Sequence, residues 1–436
     1  MMEKRMQRTP GAEAAWLRGM TSRRFSRRDM IKYAGVSVGT LSFASILAAC
    51  GDDGGDGGGG TSPGTSGTMP DYSAPLGDTI NFSNWELYID KAADPDNPGS
   101  RYSPSLRGFE EQYGVTVNYD VEINSNPQFF AELLPQLQAG QDTGRDIIVI
   151  SNGREFNVLT GSGFVEELDP ALRPNFDANA AAFAKDPFFD EGNRFSMAWQ
   201  SGLTGIGYDT TKVNGEITKA DDLMNDSLVP PGSVGVLKDD APDWAMIQLG
   251  IDPPSSTPDA WQEAADWLTM LRDAPTFRKA YDQGYIDDFT AGNLAATVAW
   301  SGDVLYYAIW EDYPFEFIVP EGGSLLWFDN MMIPANAANP QGAYKLMDYY
   351  YQPKVAQAVT EWVVYMSPVP AVQDLIAEHA KEESGAYAEA LAFTAESPLL
   401  WPDEQFLADN TSLGFNITTN EASEEWNSIF NPIWEG

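Results

Sequence analysis

An aromatic ring and a carboxylate stand two residues apart within residues 322–337, where Trp327 precedes Asp329. In an extended segment, side chains two residues apart leave the same face, so this pair is placed to bind a cation through an indole face and a negative charge. Glycines before the pair and Pro334 after it predict a short strand that enters and leaves through turns. An ordinary buried strand with one solvent-facing Asp is the alternative for this window by itself.

Aromatic, acidic and small polar residues also follow other predicted strands. Trp300 and Asp303 come directly after an apolar run, and Ser151 comes directly after another. Trp85 and Tyr88 follow the first strand, and their spacing of three residues lets them share one face of a helical turn. Packing in a core is the alternative for Trp85 and Tyr88, and their spacing does not choose between the two.

Composition restricts the chemistry that this chain can perform. Its 436 residues include 43% hydrophobic residues, which is enough for two medium cores. The first 49 residues hold nine basic and three acidic residues, which leaves 17 basic and 61 acidic residues, a net charge of −44, for the remainder. Such a surface repels nucleic acid and anionic lipid and attracts cations, so nucleic acid is not an expected partner.

The chain has one cysteine, Cys50, and one histidine, His379. This excludes an intramolecular disulfide framework and the usual zinc sites built from several Cys and His ligands, so we expect no metal and no cofactor. His379 lies in a polar, helix-like stretch, residues 376–383, where we expect it to be solvated.

The N-terminal region carries two targeting patterns. Residues 26–32 resemble a twin-arginine export signal, with Met30 where Phe is commoner. The weakly apolar run that follows is too short and polar for a stable transmembrane helix, and it ends in Leu-Ala-Ala-Cys-Gly, which resembles a bacterial lipoprotein box. We therefore predict a signal peptide over residues 1–49, a lipid anchor on Cys50, and a Gly-rich flexible linker over residues 50–75.

The folded part begins with alternating strands and helices. Apolar alternation and apolar runs predict strands near residues 79–83, 115–121 and 146–150, and helical spacing predicts helices near 104–113 and 130–137. This βαβαβ order predicts a parallel sheet that binds ligands near the carboxyl ends of its strands.

The second half predicts another lobe and a return to the first. Residues 195–208 form a Gly-rich extended crossing, after which a strand at 234–237 leads into Asp240 and Asp243. Trp244 and the helix that contains Trp261 are expected to pack in the core. The predicted fold class is α/β, with two lobes of mostly parallel sheet flanked by helices and joined by a two-segment hinge. The lobe boundaries are predicted to be 76–200 with 325–370, and 201–324 with 371–436.

These residues resemble the periplasmic spermidine/putrescine-binding proteins of ABC transporters from Ile80 to about Pro370. The resemblance rests on the order and spacing of six blocks: Asn84-Trp85 through Tyr88-Ile89, Thr204 to Tyr208, Asp240 to Asp243, Trp300 to Asp303, Trp327 to Asp329, and Ile333 to Ala337. It implies a type II periplasmic-binding-protein fold, no catalytic activity, an ABC permease as partner and an exported monomer.

The resemblance also implies a polyamine cleft. The positions implied to line it are Trp85, Tyr88, Ser151, Asp240, Asp243, Trp300, Asp303, Trp327, Asp329 and Tyr365. Three features depart from the family: Gly153 stands where some members have an aromatic residue, Asp243 replaces a longer Glu, and residues 90–102 look like an insertion.

Asp303 resembles the putrescine-binding branch, whereas Trp85 and Trp327 occur more widely, so the length of the amine stays open. One alternative keeps the fold but binds an amino-acid derivative, a sugar or a metal chelate. A ligand carboxylate would need a basic partner, and the matched positions hold no Arg or Lys. A secreted glycosidase with two carboxylates is a further alternative, although acidic pairs are too plentiful here to indicate one.

Overall fold

The computed structural model describes residues 70, 72, 74–95, 97, 100–413, 415 and 420–435. The predicted signal peptide, the predicted anchor Cys50 and most of the predicted linker lie outside these residues. Across the described ranges, no helix combines the length and the apolar character that crossing a membrane requires.

Strands and helices alternate along the described chain. The strands are β1 (Thr79–Trp85), β2 (Ala92–Ala93), β3 (Arg101–Tyr102), β4 (Thr116–Ile123), β5 (Ile147–Ser151), β6 (Met197–Asp209), β7 (Val234–Leu237), β8 (Phe277–Tyr281), β9 (Ala296–Trp300), β10 (Phe315–Ile318), β11 (Ser324–Met332) and β12 (Thr411–Leu413). The helices are α1 (Pro104–Tyr113), α2 (Asn126–Gln138), α3 (Arg154–Gly161), α4 (Pro174–Asn179), α5 (Ala241–Gln248), α6 (Pro258–Asp273), α7 (Tyr285–Thr290), α8 (Ser301–Trp310), α9 (Pro340–Tyr349), α10 (Pro353–Val363), α11 (Ala371–Glu382), α12 (Gly385–Glu396), α13 (Glu404–Asn410) and α14 (Asn420–Trp434).

Local capping explains why helix α1 has the bounds that the sequence predicts. The Ser103 side chain accepts a hydrogen bond from the backbone N–H of Leu106, and Pro104 occupies the first turn, where a missing N–H costs nothing. Gly114 ends the helix with a φ of 68°, a left-handed conformation that glycine adopts without strain. These residues are adjacent in the chain, so a sequence pattern suffices to find the helix.

The main sheet has parallel strands at its two sides and antiparallel strands in the middle. Its strand order is β4-β1-β5-β11-β6-β9-β7-β8. Strands β4, β1 and β5 are parallel, as are β9, β7 and β8, whereas β11 and β6 run antiparallel to each other and to their outer neighbours. The predicted βαβαβ order is therefore confirmed for the first lobe.

The two antiparallel strands join the lobes. Buried apolar residues form two large clusters, and β6 contributes Met197 and Trp199 to the first cluster but Ile206 and Tyr208 to the second. Strand β11 also contributes side chains to both clusters. The chain is therefore an α/β protein of two lobes joined by two strands, and Trp244 and Trp261 lie in the second cluster.

The C-terminal region divides between the lobes. Helices α11 and α12 bury Ile376 and Leu391 in the first cluster, whereas α14 buries Trp426 and Phe430 in the second. The predicted assignment of residues 371–436 to the second lobe stays a prediction, although α11 and α12 pack on the first cluster. The physical reason is that α11 packs on α10, whose apolar face already belongs to the first cluster.

The same packing corrects the prediction for His379. Its side chain is 10% exposed rather than solvated, and its Nδ1 lies 2.9 Å from a carboxylate oxygen of Glu361 on α10. The hydrogen bond with Glu361 raises the pKa of His379, and burial opposes this effect.

In the stretch 90–102, Asp90 is buried and accepts hydrogen bonds from Ser103 and Ser105, next to the short β2–β3 pair.

Candidate functional site

A cleft of about 590 Å³ lies between the two clusters and opens to solvent. Nine of the ten residues implied by the resemblance line it: Trp85, Tyr88, Ser151, Asp240, Trp300, Asp303, Trp327, Asp329 and Tyr365. They come from strand ends, from the hinge strand β11 and from the segment after α10. The exception is Asp243.

Asp329 lies on β11, two residues after Trp327, and both side chains line the cleft as the strand alternation predicts. Its carboxylate accepts hydrogen bonds from the Tyr88 hydroxyl at 2.7 Å and from the Ser151 hydroxyl at 2.5 Å. The Asn126 amide in turn donates to the Ser151 hydroxyl at 2.9 Å. Burial raises the pKa of Asp329 to about 6, although the two hydroxyl donors oppose this shift.

Asp303 lies in the first turn of α8, directly after β9. Two hydroxyls donate to it, one from Tyr285 and one from Tyr365, each at 2.8 Å. Burial raises its pKa to about 6, against the effect of these two hydrogen bonds. Because α8 begins where β9 ends, this carboxylate lies at the carboxyl end of β9.

Asp240 precedes α5 at the end of β7. Its carboxylate accepts hydrogen bonds from the Thr204 hydroxyl at 2.5 Å and from the Trp300 indole N–H at 2.8 Å. Burial raises its pKa to about 7, and the nearby charges of Asp239 and Asp243 add to the shift. Asp240, Asp303 and Asp329 thus each accept hydrogen bonds from neutral donors.

No Lys, Arg or His is among the residues that line the cleft in the described chain. Buried carboxylates that lack a cationic partner are costly, and their raised pKa values are the sign of that cost. A positively charged ligand would supply the missing counter-charge. This arrangement is suited to binding cations and unsuited to binding anions.

Aromatic rings form the remaining walls. The Trp85 and Trp300 rings lie edge to face with centroids 6.2 Å apart. The centroid of the Tyr365 ring lies 5.5 Å from that of Trp327 and 5.2 Å from that of Tyr88. The indole N–H of Trp85 donates to the carbonyl of Val149 at 3.1 Å, which fixes the ring. These faces are apolar and electron-rich, so they can cover methylene groups and attract a cation.

The local geometry around Trp85 differs from the prediction. The sequence spacing predicted that Trp85 and Tyr88 share a helical turn, whereas Trp85 ends β1 and a turn follows in which Leu87 has a φ of 57°. The two side chains nevertheless both line the cleft.

Asp243 is not among the residues that line the cleft, so the structure does not bring it together with the other nine, and its implied role in ligand binding stays a prediction. Its side chain is fully buried on α5, and the Arg154 guanidinium lies 3.4 Å from its carboxylate. Arg154 begins α3, whose Phe156 packs in the first cluster, so this ion pair joins the two lobes. Arg154 also lies over the Trp426 ring at 4.4 Å. The carboxylate is thus paired by the protein itself.

Sequence reasoning missed several residues of the cleft. These are Glu86, Asn124, Asn126, Leu237, Asp239, Tyr281, Asp282, Gln283 and Phe415. Glu86 follows Trp85 and Asp239 precedes Asp240, so their positions next to predicted cleft residues could have identified them. Phe415 gave no such signal, because no other residue that lines the cleft is near it in the described chain. The described chain contains no cluster of three or more His, Cys, Asp or Glu residues arranged to hold a metal ion.

The chain is similar in sequence to several known proteins. The family described as bacterial extracellular solute-binding protein matches residues 106–391. The chain is 29% identical over 334 residues to the putrescine-binding periplasmic protein PotF of Escherichia coli (strain K12), which covers 71% of this chain and 83% of that protein. It is 27% identical over 340 residues to the spermidine/putrescine-binding periplasmic protein 1 of Haemophilus influenzae, which covers 77% of this chain and 85% of that protein.

A solved structure supports the fold. The substrate-binding protein PotD of a spermidine/putrescine ABC transporter from Streptococcus pneumoniae superimposes with a TM-score of 0.62 at 23% identity. The match covers 82% of this chain and 98% of that one. The fold is therefore the two-lobe fold of periplasmic binding proteins.

Proposed function

Because the chain belongs to the bacterial extracellular solute-binding proteins, we propose that it captures a linear polyamine, putrescine or spermidine, and delivers it to the permease of an ABC importer. The observation that carries this proposal is the cleft with three buried carboxylates, several aromatic faces and no lining Lys, Arg or His in the described chain. The names of the relatives in Escherichia coli and Haemophilus influenzae point to the same ligands.

Asp329 and Asp303 bind the two terminal ammonium groups in this proposal, and Asp240 is a third buried carboxylate that lines the same cleft. Trp85, Trp300 and Trp327 cover the methylene groups between them. The Tyr88 and Tyr365 hydroxyls orient the carboxylates through the hydrogen bonds described above. The chain performs no catalysis in this role.

The interactions are strong enough for transport. A hydrogen bond to a charged group contributes about 1.5 to 3 kcal/mol, a cation over an indole about 0.5 to 2, and each buried methylene about 0.8. Two ammonium groups and a four-carbon stem then leave about 8 kcal/mol after the costs of association, which corresponds to a dissociation constant of about 1 μM. The net charge of −44 outside the first 49 residues raises the capture rate more than the affinity.

The location proposed for the protein is the periplasm or the outer face of the cytoplasmic membrane, with Cys50 as a lipid anchor and the protein a monomer. An exported location is consistent with the extracellular family and the periplasmic relatives. Mass spectrometry of the membrane fraction tests the anchor, since acylation would disappear when Cys50 is replaced by Ala.

A calorimetric and thermal-shift screen tests the ligand. We expect putrescine or spermidine to bind with about micromolar affinity and to raise the melting temperature, and γ-aminobutyrate and oligosaccharides to have no effect. The carboxylate of γ-aminobutyrate has no partner here, because Arg154 beside the cleft is already paired with Asp243. Binding of an anion or an uncharged sugar in place of the amines would refute the proposal.

A further inference from the structure

Phe415 brings an aromatic ring into the cleft from the segment between β12 and α14. The side chain is 8% exposed and packs in the first cluster, although α14, which follows it, packs in the second. The ring of Phe415 therefore packs with the first cluster and also lines the cleft.

The ring of Phe415 packs against Gly153. A Cβ atom added to Gly153 would lie 3.3 Å from the Cβ, Cγ and Cδ2 atoms of Phe415, so the ring sits close against the glycine backbone. The φ of Gly153 is 154°, a conformation that other residues rarely adopt.

Two contacts fix where the ring lies along the cleft. Gly153 follows Ser151 by two residues, and the Ser151 hydroxyl donates to Asp329. Strand β12 pairs in parallel with β11, with Leu413 opposite Leu326, directly before Trp327. The ring of Phe415 therefore stands at the end of the cleft that Asp329 occupies.

The described elements before and after Phe415, β12 and α14, both pack against the rest of the protein. Before it, β12 is hydrogen-bonded to the hinge strand β11. After it, Trp426 of α14 packs on Trp261 of α6 with ring centroids 5.2 Å apart, and Arg154 covers Trp426. Phe415 and Trp426 therefore contact two adjacent residues, Gly153 and Arg154.

We propose that Phe415 is a specificity-determining wall that limits the length of the ligand at the Asp329 end of the cleft. This inference rests on the proposed function as a polyamine-binding protein. A buried ring that packs against backbone cannot move aside without losing those contacts. A diamine whose first ammonium lies at Asp303 therefore has to place its second one before the ring, which disfavours longer diamines relative to putrescine.

The test is the ratio of the affinities of the full chain for putrescine and 1,6-diaminohexane, measured by calorimetry. We expect the unchanged protein to prefer putrescine and Phe415→Ala to shift the ratio about tenfold toward the longer diamine, because two further methylene groups gain a place to be buried. Phe415→Leu, which keeps more of the side-chain volume, should shift the ratio less and provides the test if the Ala variant does not fold.

The matched control is Phe430→Leu, a change in the same C-terminal region at a residue buried in the second cluster and away from the cleft. It should leave the ratio unchanged. A ratio that stays within twofold in both Phe415 variants, even if both affinities fall, would overturn the inference and leave the proposed function standing. Failure of the unchanged protein to bind any diamine would overturn both.

Discussion

Replacing Asp329 by Asn should remove one of the charges that bind the ligand while keeping the shape of the cleft. Asn retains an oxygen that can accept a hydrogen bond from Tyr88 or Ser151, which contact Asp329 at 2.7 and 2.5 Å. The lost contact is a hydrogen bond to an ionised group, worth about 1.5 to 3 kcal/mol. The affinity for putrescine at pH 7.5 should therefore fall about tenfold to a hundredfold.

The pH dependence makes this test sharper. Since burial raises the pKa of Asp329 to about 6, a proton competes with the ligand ammonium below that pH. The affinity of the unchanged protein should then fall about tenfold for each pH unit below 6 through this group alone, with a similar loss through Asp303. The Asn variant should lose the share that belongs to Asp329 and show a flatter profile between pH 7.5 and 5.

Calorimetric titration with putrescine across this pH range measures both effects. Asp266→Asn is the matched control, because it removes one negative charge from the exposed side of α6, outside the cleft. The control should bind putrescine as the unchanged protein does. If Asp329→Asn bound within twofold of the unchanged protein at pH 7.5, or kept the full pH dependence, the assignment of Asp329 would be refuted.

Three further predictions follow from the same contacts. The unliganded protein should lose stability as the pH rises from about 4 to 7. Burial raises the pKa of Asp240 to about 7 in the folded state, so the folded protein binds a proton there that the unfolded chain has already released. Asp240→Asn removes this titration and should make the melting temperature less dependent on pH. Arg154→Ala should speed putrescine release severalfold in stopped-flow measurements by removing the Asp243 contact between lobes, whereas Arg194→Ala, which breaks an exposed pair, should not. Trp300→Phe should weaken binding about fivefold by calorimetry, because the indole N–H that orients Asp240 is lost; unchanged affinity would contradict this.

Much of the cleft could be predicted from the sequence because its parts are set by neighbouring residues. Trp327 and Asp329 share a face because strand alternation requires it, and Asp303 lies at a sheet edge because α8 begins where β9 ends. The bounds of α1 follow from Ser103, Pro104 and Gly114, which are close together in the chain. The pattern of aromatic and acidic residues indicates only that the ligand is a cation, whereas the family resemblance implies a polyamine.

Long-range packing decided the rest. Asp243 is paired with Arg154 because α3 and α5 meet across the lobes, and no spacing along the chain encodes that meeting. Phe415 lines the cleft because it packs against Gly153, which lies far earlier in the chain. A local sequence pattern determines on which face of its own strand or helix a side chain lies. The contacts between distant segments depend on how the buried surfaces fit together, and this fit exists only in the folded chain.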